Sequence, residues 1–132
     1  MTTFSAQISA WARKTERRAE AVFKQSAQEV FSIAQTPVKR GGNMPIDTGF
    51  LRGSLQTGLN GAAGVKGDES HVLAIAAARL GDIIEGGWTA QYALPVELGA
   101  GGRPGRLFMN SAAQQWQDIV ARNARDAQAR NP

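Results

Sequence analysis

His71 is the only histidine in this 132-residue chain, and cysteine is absent. Proton transfer, nucleophilic attack and metal ligation near neutral pH draw first on these two residue types, so the chemical repertoire is narrow from the start. Without cysteine there is no thiolate zinc site, no cysteine nucleophile and no disulfide framework, a composition that fits a reducing compartment. A serine triad built on His71 calls for a Gly-x-Ser-x-Gly elbow, and none occurs. A lone histidine at the edge of an apolar segment reads as a core or surface residue. The other enzymatic option is a pair of carboxylates sharing acid and base roles, for which Asp47 and Glu97 are the best candidates. The competing structural reading is stronger: Asp47 caps a helical turn, and Glu97 pairs with an arginine such as Arg52 or Arg106. No catalytic residue is assigned.

Ligand-binding patterns are equally sparse. The acidic residues are scattered, and Asp68-Glu69 lies beside Gly and Ser in a loop, so no metal site is expected. No Gly-Lys-Ser/Thr phosphate loop and no G-x-G-x-x-G after a strand is present, and no cofactor is expected. Gly101-Gly102 with Arg103 and Arg106 has the residue types to meet an anion, although a loop role is the simpler reading. Trp11, Trp88 and Trp116 fall on apolar faces rather than among basic residues, which suits a core or an interface better than base stacking. The formal charge is +4, weaker than a dedicated nucleic-acid binder would carry. No apolar run approaches the roughly 20 residues that span a bilayer. The opening Met1-Thr2-Thr3-Phe4-Ser5 lacks a charged region followed by an apolar run, so no signal peptide is expected.

The elements that must position these residues make one α+β domain. Residues 3–35 contain no Gly or Pro, and Phe4, Ile8, Trp11, Thr15, Ala19, Val22, Val30 and Phe31 recur at helical spacing. This predicts one long helix, stopped by Pro37. A helix of 33 residues is roughly 50 Å long, whereas a compact domain of this size is only about 35–40 Å across. The helix must therefore kink, or leave part of its apolar stripe for another subunit. Its other face carries Arg13, Lys14, Arg17, Arg18 and Lys24 interleaved with Glu16, Glu20 and Glu29. That face reads as solvated, with support such as Glu20–Lys24, or as a contact surface for DNA or an acidic neighbour.

Residues 36–47 form a loop, made basic by Lys39 and Arg40, with the length of an arm that orders against a partner. Residues 48–89 are expected to form an antiparallel β-meander. It begins with a turn in which Asp47 or Thr48 caps and Phe50 and Leu51 bury. Strands follow at 55–59, 71–78 and 83–89, and residues 60–70 make a Gly-rich mobile tip. A short helix near Pro95 and a Gly-rich loop occupy residues 90–106. A C-terminal helix spans 107–129, with Phe108, Ala112, Trp116, Ile119 and Asn123 on one face and a fraying tail from Arg122.

Two stretches carry a resemblance. Pro45-Ile46-Asp47-Thr48-Gly49-Phe50-Leu51-Arg52-Gly53-Ser54-Leu55 is the first; Tyr92-Ala93-Leu94-Pro95-Val96-Glu97-Leu98-Gly99, followed by Pro104-Gly105-Arg106-Leu107-Phe108 and a helix with Trp116, is the second. In this order they resemble the tail-component family of lambdoid and related long-tailed phages, also described as neck or tail-completion proteins. The family pattern is a long helix, a Pro-x-Asp-Thr-Gly-x-Leu-Arg-x-Ser turn, a Tyr-Ala-x-x-Val-Glu-x-Gly segment and a Phe-led C-terminal helix. Here the loop at 99–106 is longer and richer in glycine than that pattern.

The resemblance implies a non-enzymatic virion subunit joining the head connector to the tail tube. It points to a homo-oligomeric ring, taken as a hexamer from the tail geometry of this class of phage, with phage head-connector and tail proteins as partners; with no spanning apolar run, no membrane partner is expected. The setting would be the virion neck or the top of the tail, reached from the host cytoplasm. The motif positions are Asp47, Thr48, Gly49, Leu51, Arg52, Tyr92, Glu97, Gly99 and Phe108, with Arg52 expected to hold Glu97 bidentately. Arg13, Arg17, Lys39, Arg40, Lys66 and Arg103 are candidates to face a neighbouring subunit, or packaged DNA without reading its sequence. The alternatives are a terminator capping the tail tube and a small basic nucleic-acid-binding protein.

Overall fold

The computed structural model describes residues 4–46, 49–62 and 64–130. Across them the fold is α+β, with long N- and C-terminal helical elements and small antiparallel sheets.

Helix α1 (Phe4–Ala34) is one unbroken rod of 31 residues, about 46 Å long at 1.5 Å per residue. The expected first residue, Thr3, lies outside the described residues. At its end the Thr36 hydroxyl donates to the Ser32 carbonyl, and Pro37 prevents continuation. Burial is confined to the second half, where Ser26, Ala27, Ala34 and Gln35 are covered. No residue from Ala6 to Ala21 is buried. Trp11 is 68 % exposed and Ile8 49 %. The helix runs on without a break, and its first half lies beyond the buried core.

Residues 36–44 are no free arm. Val38 N–H donates to the Met44 carbonyl and Met44 N–H to that of Thr36, closing the segment on itself around a 3₁₀ turn at Val38–Arg40. The closure buries Met44 completely and leaves Lys39 and Arg40 exposed on the outside of the turn.

Short helix α2 (Phe50–Gly53) leads into β1 (Leu55–Leu59). Leu51 is buried as expected, but Phe50 is exposed. A four-residue helix has one inward-facing position next to the core, and Leu51 occupies it. The segment expected as a middle strand is helix α3 (Ser70–Ala77), in which Ala74, Ala76 and Ala77 favour a helix more than a pleat. The sheet is therefore a pair of strands instead of a meander: β1 lies antiparallel to β2 (Ile84–Trp88), with Leu55 opposite Trp88 and Leu59 opposite Ile84. Residues 64–67 do not form a detached tip. Gln56 pairs with Lys66, Thr57 N–H donates to the Val65 carbonyl, and Gly67 N–H donates to that of Leu55. The Phe31 ring lies so close to Gly86 that an added Cβ there would stand 2.3 Å from Cε1.

Helix α4 (Ala93–Leu98) and a two-residue hairpin, β3 (Gly99–Ala100) with β4 (Arg103–Pro104), follow. The C-terminal helix is two helices, α5 (Phe108–Ala113) and α6 (Trp116–Arg130). At the break, Gln115 N–H reaches back three residues to Ala112, while its side-chain amide takes the Ser111 carbonyl that a continuous helix would use. The tail past Arg122 remains helical. Asn123 is buried and donates to Ser26 Oγ at 3.1 Å, and Arg122 forms an ion pair with Glu29, so α6 is tied along α1. Met44, Leu51, Ala90 and Phe108 form the core, with Trp88, Ala93 and Val96 against it. The Trp88 and Phe108 rings meet edge to face at 4.9 Å.

Candidate functional site

The motif residues gather around this core, but through pairings other than the expected ones. Asp47 and Thr48, the expected caps, lie outside the described residues. Gly49 takes φ +81° at the start of α2, a left-handed conformation that glycine adopts without strain. Arg52 does not reach Glu97. Its Nε donates to the Gln35 carbonyl at 3.0 Å, and a terminal nitrogen pairs with Asp68 at 2.8 Å.

Gln35 is the residue that the sequence reading missed. It is almost fully buried at the end of α1. Its Nε2 donates to the carbonyls of Arg52 and Asp68, both at 2.8 Å, and its Oε1 accepts the Trp88 indole N–H at 2.8 Å. Since indole can only donate, the amide orientation is fixed. One side chain thus ties α1 to α2, to the turn before α3 and to β2. Its signal in the sequence was position: Gln35 falls four residues after Phe31 on the buried stripe.

Glu97 is 3 % exposed, and among the described residues no arginine lies within salt-bridge distance of it. Its two carboxylate oxygens accept the backbone N–H groups of Met109 (2.9 Å) and Asn110 (2.8 Å). The first turn of α5 has N–H groups without intrahelical partners, and Glu97 supplies the acceptors from a neighbouring helix. The chain arrives there through Leu107 at φ +53°, held by its N–H bond to the Glu97 carbonyl. Gly99 keeps the tight passage open: an added Cβ would stand 2.7 Å from the Arg103 carbonyl oxygen. Phe108 fills the core. Tyr92 packs on Phe50 at the surface, ring centroids 6.0 Å apart.

His71 belongs to α3, not to a strand, and is buried against the Phe31 ring at 5.6 Å. Desolvation by burial holds its imidazole below the usual histidine range; Arg52 acts in the same direction, while Glu69 and Asp68 oppose it. Its Nδ1 has no hydrogen-bond partner among the described residues. Among the described residues no group of three or more His, Cys, Asp or Glu side chains is placed to hold a metal ion.

The expected i,i+4 pair of Glu20 and Lys24 has another use. Glu20 accepts the Leu80 N–H, and Lys24 donates to the Ala76 carbonyl at the C-terminal end of α3. These two residues fasten α3 to α1. The six basic candidates are exposed but divided among elements. Arg13 and Arg17 lie on the α1 overhang, Lys39 and Arg40 on the 3₁₀ turn, Lys66 beside β1, and Arg103 on the β3–β4 hairpin.

Among the described residues, Arg52, Glu97, Gly99 and Phe108 of the two motif stretches hold the fold together. Two surface features stand out beside the motif residues: the α1 overhang with exposed Ile8 and Trp11, and a groove of about 540 Å³ between α1 and α6 lined by Val22, Phe23, Trp116 and Val120. No helix among the described residues is long and apolar enough to cross a membrane. Compared with protein families, curated proteins and solved structures, the chain matches none.

Proposed function

We propose that this chain is a structural subunit of a long-tailed phage, forming a homo-oligomeric ring at the head–tail junction that joins the head connector to the tail tube. The observation that carries the reading is the overhang of α1. Its first turns leave the domain with Ile8 and Trp11, one helical turn apart, uncovered, an apolar pair that a neighbouring subunit can cover. A subunit that closes into a ring needs such a surface beyond its own core. The order of the two motif stretches supports the phage assignment. Six-fold symmetry is part of the proposal, as are the neighbouring head-connector and tail proteins. Exposed Arg13 and Arg17 would meet the phosphates of passing DNA without reading sequence.

The test is complementation of a phage defective in this gene by Ile8→Glu/Trp11→Glu. The isolated variant is expected to keep wild-type helicity, because neither side chain is in the core. In infected cells it should leave filled heads and finished tails unjoined. Wild-type yields of infectious particles from this variant would remove the overhang from the assembly role. Overlong tails in place of unjoined parts would favour a terminator on the tail tube.

A further inference from the structure

The anion-capable stretch noted in the sequence lies on a built pocket. Pro45, Pro95, Val96 and Pro104 wall a cavity of about 480 Å³, with Arg103 and Arg106 on its lining. Its size lies within the usual range of ligand sites, and its character is the usual one: apolar walls with a few convergent polar groups. Both arginines are exposed, and among the described residues neither guanidinium has a carboxylate within salt-bridge distance. The acid nearest in sequence, Glu97, already has both oxygens on the Met109 and Asn110 N–H groups. Among the described residues, the lining therefore presents two arginines without an ion-pair partner beside an apolar surface.

We propose that this pocket recognises an acidic segment of another protein, one carboxylate side chain held by Arg103 and Arg106 and an adjacent apolar side chain seated against the prolines. Guanidinium groups bind carboxylates through paired N–H donors. The walls decide between peptide and nucleic acid. Three prolines and a valine offer an apolar seat but no aromatic face on which a base could stack. The pocket is also well supported: Arg106 N–H is fixed to the Val96 carbonyl at 2.8 Å, and the β3–β4 hairpin holds Arg103 opposite Ala100. This proposal goes beyond ring formation and stands or falls separately from it.

The experiment selects from a surface-displayed library of random dodecapeptides with the full-length chain, and in parallel with Arg103→Gln/Arg106→Gln. Both chains are first shown to be equally folded by their ¹⁵N–¹H amide spectra. The wild-type chain is expected to enrich peptides with Asp or Glu next to an apolar residue. Those peptides should shift the amides of residues 96–106 and bind the double variant about tenfold or more weakly. Three results would overturn the proposal: no enrichment, enrichment without an acidic signature, or equal selection by the double variant. A fourth is that duplex DNA or inorganic phosphate shifts the same amides as strongly as the selected peptides, which would make the site a general anion site.

Discussion

Replacing Glu97 should cost the fold more than replacing any arginine near it, because its carboxylate is the N-terminal cap of α5. The residue is buried, and both oxygens accept backbone N–H groups at 2.8–2.9 Å. Hydrogen bonds to a charged acceptor contribute about 1.5–3 kcal/mol each. Met109 and Asn110 are exposed residues, so water recovers part of the loss once the carboxylate is gone. The expected destabilisation for Glu97→Ala is therefore about 2–4 kcal/mol. Glu97→Gln keeps the shape and one acceptor but turns an NH₂ toward a donor, and should cost about 1–2 kcal/mol. In urea unfolding followed by circular dichroism, the Ala variant should move the midpoint down by roughly 1–2 M, for a slope near 2 kcal/mol/M. Amide exchange at Met109 and Asn110 should accelerate selectively. A double-mutant cycle separates this account from an Arg52–Glu97 ion pair: the coupling of Arg52→Ala with Glu97→Ala should be near zero. A midpoint shift below about 0.3 M for Glu97→Ala, or a coupling above about 1 kcal/mol, would refute the capping argument.

Three further outcomes follow from the same geometry. Gln35→Ala removes the acceptor for Trp88 Nε1 and the donors to two carbonyls, and thermal or urea unfolding should show a loss of about 2–4 kcal/mol; a loss under about 1 kcal/mol would deny Gln35 its linking role. Gly86→Ala pushes a methyl onto the Phe31 ring and should destabilise by about 1–3 kcal/mol, with partial rescue by Phe31→Leu, whereas a neutral effect would mean that the ring moves freely. His71 has a folded-state pKa below its unfolded value, so the unfolded chain binds the extra proton first. Stability should be flat above pH of about 6.5 and fall as pH drops through the window below it. His71→Phe should remove that slope, and an unchanged slope in the variant would place its origin elsewhere.

How much of this was legible in the sequence depended on whether a feature was local. The helix over Phe4–Ala34, strands at Leu55–Leu59 and Ile84–Trp88, and the buried face of Phe108, Ala112, Ile119 and Asn123 follow from periodicity, which each segment carries within itself; Trp116, expected on that face, is exposed at the start of α6 instead. The overhang was also readable, because it needed only a length and a domain size. Helix α3 was misread. Val72, Leu73 and Ile75 suggested a strand, yet Val72 and Leu73 are exposed, and the alanines around them were the better guide. The tertiary pairings were out of reach. Glu97 meets α5 only because Leu107 adopts a left-handed turn, and Arg52 meets Asp68 only because residues 64–67 fold back along β1. Charge and spacing favour several partners for each of these groups; the path of the backbone selects one.

The candidate surface divides in the same way. The exposed stripe of α1 could be inferred from its pattern and its excess length. The proline-walled pocket at Arg103 and Arg106 joins Pro45 to residues some fifty positions later, a juxtaposition created by the core.

The ring proposal is tested most directly by cryo-electron microscopy of purified particles, with symmetry-relaxed reconstruction of the neck. The account predicts a ring of this chain between the head connector and the tail tube, with the α1 overhang of each copy covered by its neighbour. A particle without density for this chain, or a ring in which Ile8 and Trp11 stay exposed to solvent, would contradict it.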